Sequence, residues 1–171
     1  NAAGFQFANL DFQVEQVLLP MRRLMEANGE RLFANLGFVD FSRPGSNVEH
    51  ALAPDEYAEL TLQTFLHLKN KFGIVPDALE IILEPDNTEH WRGRQIGLAI
   101  VATMDRLRRA GFSPQVIAPS VSKAGNFAAY FDAMIAVPGV LPLLHTVAYH
   151  RYDIQSGRAI PDIRKRAEQH K

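Results

Sequence analysis

The sequence predicts an α/β fold in which parallel strands alternate with helices. Two observations carry this expectation. Short runs of apolar and β-branched residues are each followed by a segment with helical spacing, and no hairpin turn joins any two strand-like runs. Strand starts recur at roughly 30–45 residues, the size of a strand plus its crossover helix. Such alternation implies parallel pairing and right-handed crossovers. The 171 residues hold no low-complexity linker and no composition break, so residues 1–171 read as a single domain.

The first element is a helix over about Asp11 to Ala27. Val14, Val17, Leu18, Met21, Leu24 and Met25 fall on one stripe. Asn9 or Asp11 is placed to cap its start, and Pro20 to kink or split it. Asn28-Gly29 is a stop signal. A strand over Leu32–Phe41 follows and ends in the polar loop Ser42–Asn47. The second helix begins near Pro54-Asp55-Glu56 and runs to Phe72, with Leu62, Phe65, Leu68 and Phe72 inward and Gly73 at its end.

The stretch Leu79–Asn87 is the centre of the chain. Ile81, Ile82 and Leu83 form an apolar run suited to a strand covered on both faces. Pro85 cannot donate to a ladder, so pairing is expected to stop there. Glu84, Asp86 and Asn87 then stand at the strand's carboxyl end. A third helix is expected over about Arg92 to Ala110, then a strand over Gln115–Pro119 ending in Ser120. A fourth helix over about Lys123 to Ala136 leads to a last strand, Thr146–His150, and a final helix starts at Pro161.

Composition excludes several classes. The net charge is −1, with no basic footprint, so neither nucleic acid nor an anionic membrane is an expected partner. Without cysteine there is no thiolate nucleophile and no cysteine-held metal. No apolar run approaches the roughly 20 residues needed to span a bilayer. Asn1-Ala2-Ala3-Gly4 shows neither an initiator Met nor a signal segment. The chain is therefore expected to be a processed protein or a piece of a longer one, and secretion is compatible with it.

No strand end carries a glycine-rich dinucleotide turn or a P-loop lysine, and no cofactor is expected. What the strand ends offer is polar side chains: Asp40 and Arg43; Glu84, Asp86 and Asn87; Ser120; and His150, Tyr152 and Asp153. A (β/α)8 barrel collects its site from several strand ends in this way. Four strands cannot close such a barrel. The expected architecture is thus a partial (β/α)8 (TIM) barrel of about four parallel strands, from a helix before the third barrel strand to the helix after the sixth. Its two unpaired edges imply self-association.

On these residues the chain resembles the clan A superfamily of retaining glycoside hydrolases built on (β/α)8 barrels. Over about Leu32 to Lys171 the likeness lies in element order and strand-end residues. Leu83-Glu84-Pro85 stands where that superfamily ends its fourth strand in Asn-Glu-Pro, and His150-Arg151-Tyr152 where many members end the sixth in His-x-Tyr. The resemblance implies Glu84 as general acid/base, a carbohydrate substrate, and His150 and Tyr152 at the sugar or the nucleophile. The nucleophilic glutamate of the seventh strand is expected beyond Lys171, which makes these 171 residues an incomplete catalytic domain, inactive alone. Leu83 replaces the usual Asn that contacts the sugar 2-hydroxyl, and Asn87 is the candidate to take over that contact.

Each residue has an alternative use. Glu84 could be a solvated carboxylate or pair with Arg92 or Arg94. Trp91, the sole tryptophan, suits a stacking platform for a pyranose or a core anchor. Ser120 is placed to touch substrate or to cap the next helix. Asp86 and Glu89 read as solvated or helix-starting acids, Glu80 as half of an ion pair, and Asp40 with Arg43 as a subsite or a surface ion pair. His150 and Tyr152 share parity and so one side of the strand end. Two other readings stay open. One is a divalent-metal lyase or isomerase using Glu84, Asp86 and His150. The other is a non-catalytic glycan-binding half-barrel.

Overall fold

The computed structural model describes residues 4–41, 49–152 and 157–170. The expected loop Ser42–Asn47, Arg43 with it, and Asp153 lie outside these residues. The described elements run α1 (Ala8–Gln13), a π-helical turn (Val14–Leu18), α2 (Leu19–Ala27), β1 (Asn35–Gly37), α3 (Pro54–Phe72), β2 (Ala78–Glu80), α4 (Gly93–Arg109), β3 (Gln115–Val121), α5 (Phe127–Ile135), β4 (Leu144–Tyr149) and α6 (Ala159–Gln169). The four strands form one parallel sheet in the order β1-β2-β3-β4. The α/β fold is as the sequence predicts.

Register decides which residues share a face. Leu36, Leu79, Val116 and Leu144 lie in one row across the sheet, and Gly37, Glu80, Ile117 and Thr146 in the next. Successive residues on a strand face opposite ways. The first row joins the main core with Ile96, Ile100, Met104, Phe127 and Phe131 from the helices. The second row is half-buried to exposed. Helix α3 packs on α4 and α4 on α5, so consecutive helices lie side by side. Sequential strand order with neighbouring helices on one face is the winding of a barrel sector; a doubly wound sheet reverses its order at a switch point.

Helix α3 forms where its signals are strongest. Proline and two acids occupy its first turn, Lys69 and Lys71 its last, and Gly73 closes it in the left-handed region at φ 64°. Its buried stripe runs through Tyr57, Thr61, Phe65 and Leu68, with Leu62 and Phe72 at its margin rather than centre. The Tyr57 hydroxyl donates to the Ile81 carbonyl at 2.5 Å, which ties α3 to the exit of β2.

Several expected boundaries move. Regular β1 is three residues long, not ten, and β2 pairs regularly only over Ala78–Glu80. Pairing nevertheless continues irregularly, through Leu83 N–H to Phe38 O at 2.9 Å and Glu84 N–H to Ser120 O at 3.0 Å. Strand β3 runs two residues past Pro119, and α6 starts two residues before Pro161. Pro20 does not split the first helix. The turn before it widens instead, with Leu19 N–H reaching Val14 O five residues back. The wider turn shifts the phase of the apolar stripe. Val14 is buried against Leu68 and Ile74, while Val17, Met21 and Leu24 are exposed. Phe7 occupies the N-cap position without a side-chain bond, so neither Asn9 nor Asp11 serves as cap. Asp11 instead bonds His67 at 2.5 Å and Lys71 at 2.8 Å, pinning this helix to α3.

Two predictions follow from this packing. A Cβ at Gly93 would lie 2.2 Å from the Tyr130 carbonyl oxygen, and at Gly97 2.7 Å from that of Met134. Gly93→Ala must therefore push α4 from α5 and cost about 1–3 kcal/mol in urea-induced unfolding. The hydrogen bond from Lys71, then that from His67, holds the Asp11 carboxyl below the usual carboxylate range. A lowered pKa stabilises at pH values above the unfolded one and loses that effect as pH falls through the folded one. Protection factors, which are exchange rates divided into the intrinsic rate at each pH, should fall across 8–27 on acidification while those of α4 and α5 hold, and Asp11→Asn should lower them across 8–27 already at neutral pH.

Candidate functional site

Parallel pairing puts the exits of all four strands at one end of the sheet, and the polar residues gather there. Glu84 leaves β2 in the left-handed region, at φ 50° and ψ 57°. Ser120, inside β3, is the other described non-glycine residue with positive φ, at 56°. Left-handed backbone is uncommon for residues with a Cβ and is held only where surroundings enforce it. Here the two strained residues touch through the bond from Glu84 N–H to Ser120 O. Pro85 then opens a short 3-10 turn, Pro85–Asn87, which Asn87 N–H closes onto Glu84 O at 3.0 Å.

The Glu84 carboxyl is held by both oxygens. Oε1 lies 2.6 Å from Nδ1 of His150, and Oε2 accepts from the Asn87 side-chain amide at 2.9 Å. His150 is fixed by its own N–H, which donates to Val121 O at 2.7 Å. The Glu84 side chain is 13% exposed and that of His150 32%, so solvent reaches the imidazole more than the carboxyl. Tyr152 is exposed and sets its ring at right angles to His150, centroids 5.5 Å apart. Neither Arg92 nor Arg94 is the partner of Glu84: the Arg92 guanidinium donates to the carbonyls of Thr88 and Trp91 and to the Tyr130 hydroxyl.

Asp86 does different work. One of its oxygens accepts from Ser122 N–H at 2.6 Å, the other from Lys123 N–H at 3.1 Å and the Asn126 amide at 2.9 Å. Burial pushes its pKa up, but the bonds from Ser122, Asn126 and Lys123 outweigh burial and leave it below the usual carboxylate range. Both oxygens face the exit of β3 rather than an open site. This removes Asp86 from the metal-ligand set expected with Glu84 and His150. Among the described residues no group of three or more His, Asp or Glu is arranged to hold a metal ion.

Two expected substrate contacts are corrected. Trp91 is fully buried against Phe38 and Tyr57, and its indole N–H donates to Asp40 at 2.7 Å. It has no free face for a sugar and is the core anchor of α4. Asp40 is the acceptor for that indole; its expected partner Arg43 lies outside the described residues. Ser120 is also fully buried, and its hydroxyl has no partner among the described residues. It lies within β3 and caps no helix. Glu80 bonds the Asn35 amide at 3.0 Å, where an ion pair was expected, and Glu89 lies near His90 at 3.9 Å.

Ser122 and Asn126 escape the sequence reading. Each acts through a side chain or amide donated to the turn after β2, and the only available sign is their closeness to the expected exit of β3.

No family model matches the chain, and no curated protein sequence matches it. Among solved structures it has a partial likeness in fold to the catalytic domain of GH30 xylanase C from Talaromyces cellulolyticus, at 21% identity and a TM-score of 0.49. That likeness covers 58% of this chain and 24% of the xylanase domain, so the chain spans about a quarter of its length.

Replacing Asp86 should separate the two exit turns. Asp86→Ala leaves two main-chain N–H groups and one amide without their acceptor, which should cost about 1–3 kcal/mol of stability. The native carboxylate stabilises above the unfolded pKa and loses this effect as pH falls through its lowered folded value. The acid side of the stability profile should therefore flatten in Asp86→Asn, measured by urea unfolding from pH 7 downward.

Proposed function

We propose that this chain supplies the proton-donor side of a retaining glycoside hydrolase site, with Glu84 as general acid/base and His150 and Tyr152 lining a sugar subsite. One observation carries the reading. A carboxyl from the exit of β2 and an imidazole from the exit of β4 meet at 2.6 Å, across the exit of β3, at the end of a parallel sheet where barrels of this type do chemistry. The pair is buried enough to be fixed and open enough to be reached.

Retaining hydrolysis asks one carboxyl to protonate the leaving oxygen and later to take a proton from water. A second carboxylate, about 5–5.5 Å away, attacks the sugar carbon. In this proposal Glu84 takes the first role, and the second comes from a further strand of the parent barrel. The substrate is a polysaccharide or glycoside. Tyr152, exposed beside His150, offers an aromatic face to a sugar ring. Leu83 leaves the sugar 2-hydroxyl without the amide found at that place in the resembling family.

The leaving group tests the role of Glu84. In the complete protein that carries this chain, Glu84→Gln should lower kcat/KM by about 10²–10⁴-fold on a glycoside with a poor leaving group. It should lose far less on an activated aryl glycoside, whose departure needs little protonation. Equal loss on both substrates would remove the acid/base role, and no loss on either would remove Glu84 from the site.

A further inference from the structure

We infer that Asn87 is a positioning residue for Glu84: its amide links Ser122 to Glu84 Oε2 and leaves Oε1, the oxygen facing His150, as the one that exchanges a proton. The inference rests on the acid/base reading and adds to it a residue that acts through Glu84.

Donor and acceptor roles carry the argument. The Asn87 Nδ2 group can only donate, so Glu84 Oε2 must be an acceptor in its 2.9 Å contact. With the amide in this orientation, a proton on the neutral carboxyl has no acceptor on the Asn87 side. The other end of the amide agrees, since Asn87 Oδ1 accepts from the Ser122 hydroxyl at 3.3 Å. At the ionised carboxylate a flipped amide would set oxygen against oxygen, so the ionised form fixes this orientation, and the Ser122 hydroxyl fits it as donor. The amide is also held in place. Asn87 N–H is bonded to Glu84 O, and the neighbouring Asp86 is bonded to Ser122, Lys123 and Asn126. Of the other charged and titratable groups at this end, Asp40 accepts from Trp91, Asp86 faces the exit of β3, and Tyr152 stands edge-on to His150. Only His150 and Asn87 are bonded to the Glu84 carboxyl among the described side chains. Asn87 itself is exposed, so trimming it removes no core contact.

The consequence differs from that of a sugar-binding amide. Losing a substrate contact raises KM. Losing a contact that aims the acid lowers kcat, because a displaced catalytic group can cost up to about 10²-fold.

Two measurements test this. The first needs no turnover. In ¹⁵N spectra of the full 171-residue chain, one Asn87 side-chain proton should exchange more slowly than its geminal partner, and Glu84→Ala should abolish the difference. Equal exchange in the native chain would overturn the inference. In the second, Asn87→Ala in the complete protein should lower kcat on a poor-leaving-group glycoside by on the order of tenfold or more. KM and the unfolding midpoint should hold, and Ser122→Ala should act in the same direction but less. A rise in KM at constant kcat would overturn the inference and leave the role of Glu84 standing. A slow Asn87 proton together with failure of the Glu84→Gln leaving-group test would remove the acid/base reading and leave the contact intact.

Discussion

The Asp86 carboxylate is the constraint on which the site depends. It accepts two main-chain N–H groups and one amide from the turn after β3, so the turns after β2 and β3 behave as one piece. Glu84 sits two residues upstream, between that clamp and its own bond to Ser120. The chain cannot relax out of the left-handed region there without breaking one or the other. Strain at Glu84 is thus offset by bonds made elsewhere, and its side chain emerges in a fixed direction toward β4. His150 completes the arrangement because its main chain is fixed to Val121. The exits of β2, β3 and β4 therefore converge on one residue, Glu84, through hydrogen bonds to its main chain and its carboxyl.

The fold was legible because its signals are local and repeat. Helix α3 has its proline, its acids, its lysines and its terminal glycine all in place, and the structure bounds it where those residues stand. The strands were legible as elements but not in extent. Their ends are set by irregular bonds, such as Leu83 to Phe38, that no period-2 pattern announces. The first helix defeated its pattern for a physical reason: accommodating Pro20 by a widened turn rotates every residue after it.

At the site, Glu84 and His150 could be singled out because strand-end position and residue type coincide. Trp91 could not be assigned, since a sugar platform and a core anchor need the same flat apolar ring. Only the depth of the indole and its bond to Asp40 decide between them. Asp86 looked like a solvated acid because its partners are main-chain N–H groups, which a sequence does not display. Ser122 and Asn126 carry no sign of their own, because their side-chain partners, Asn87 and Asp86, stand about 35–40 residues away in the chain.

The bond between Trp91 and Asp40 has an optical consequence. Trp91 is the chain's sole tryptophan, buried and with its N–H engaged by a carboxylate at the exit of β1. Its emission therefore comes from one environment only, at the seam where β1, α3 and α4 meet. Loosening the far side of the sheet, between β3 and β4, would leave that light almost unchanged, while parting β1 from α4 would shift it to the red. The molecule carries a built-in lamp on one side of its candidate site.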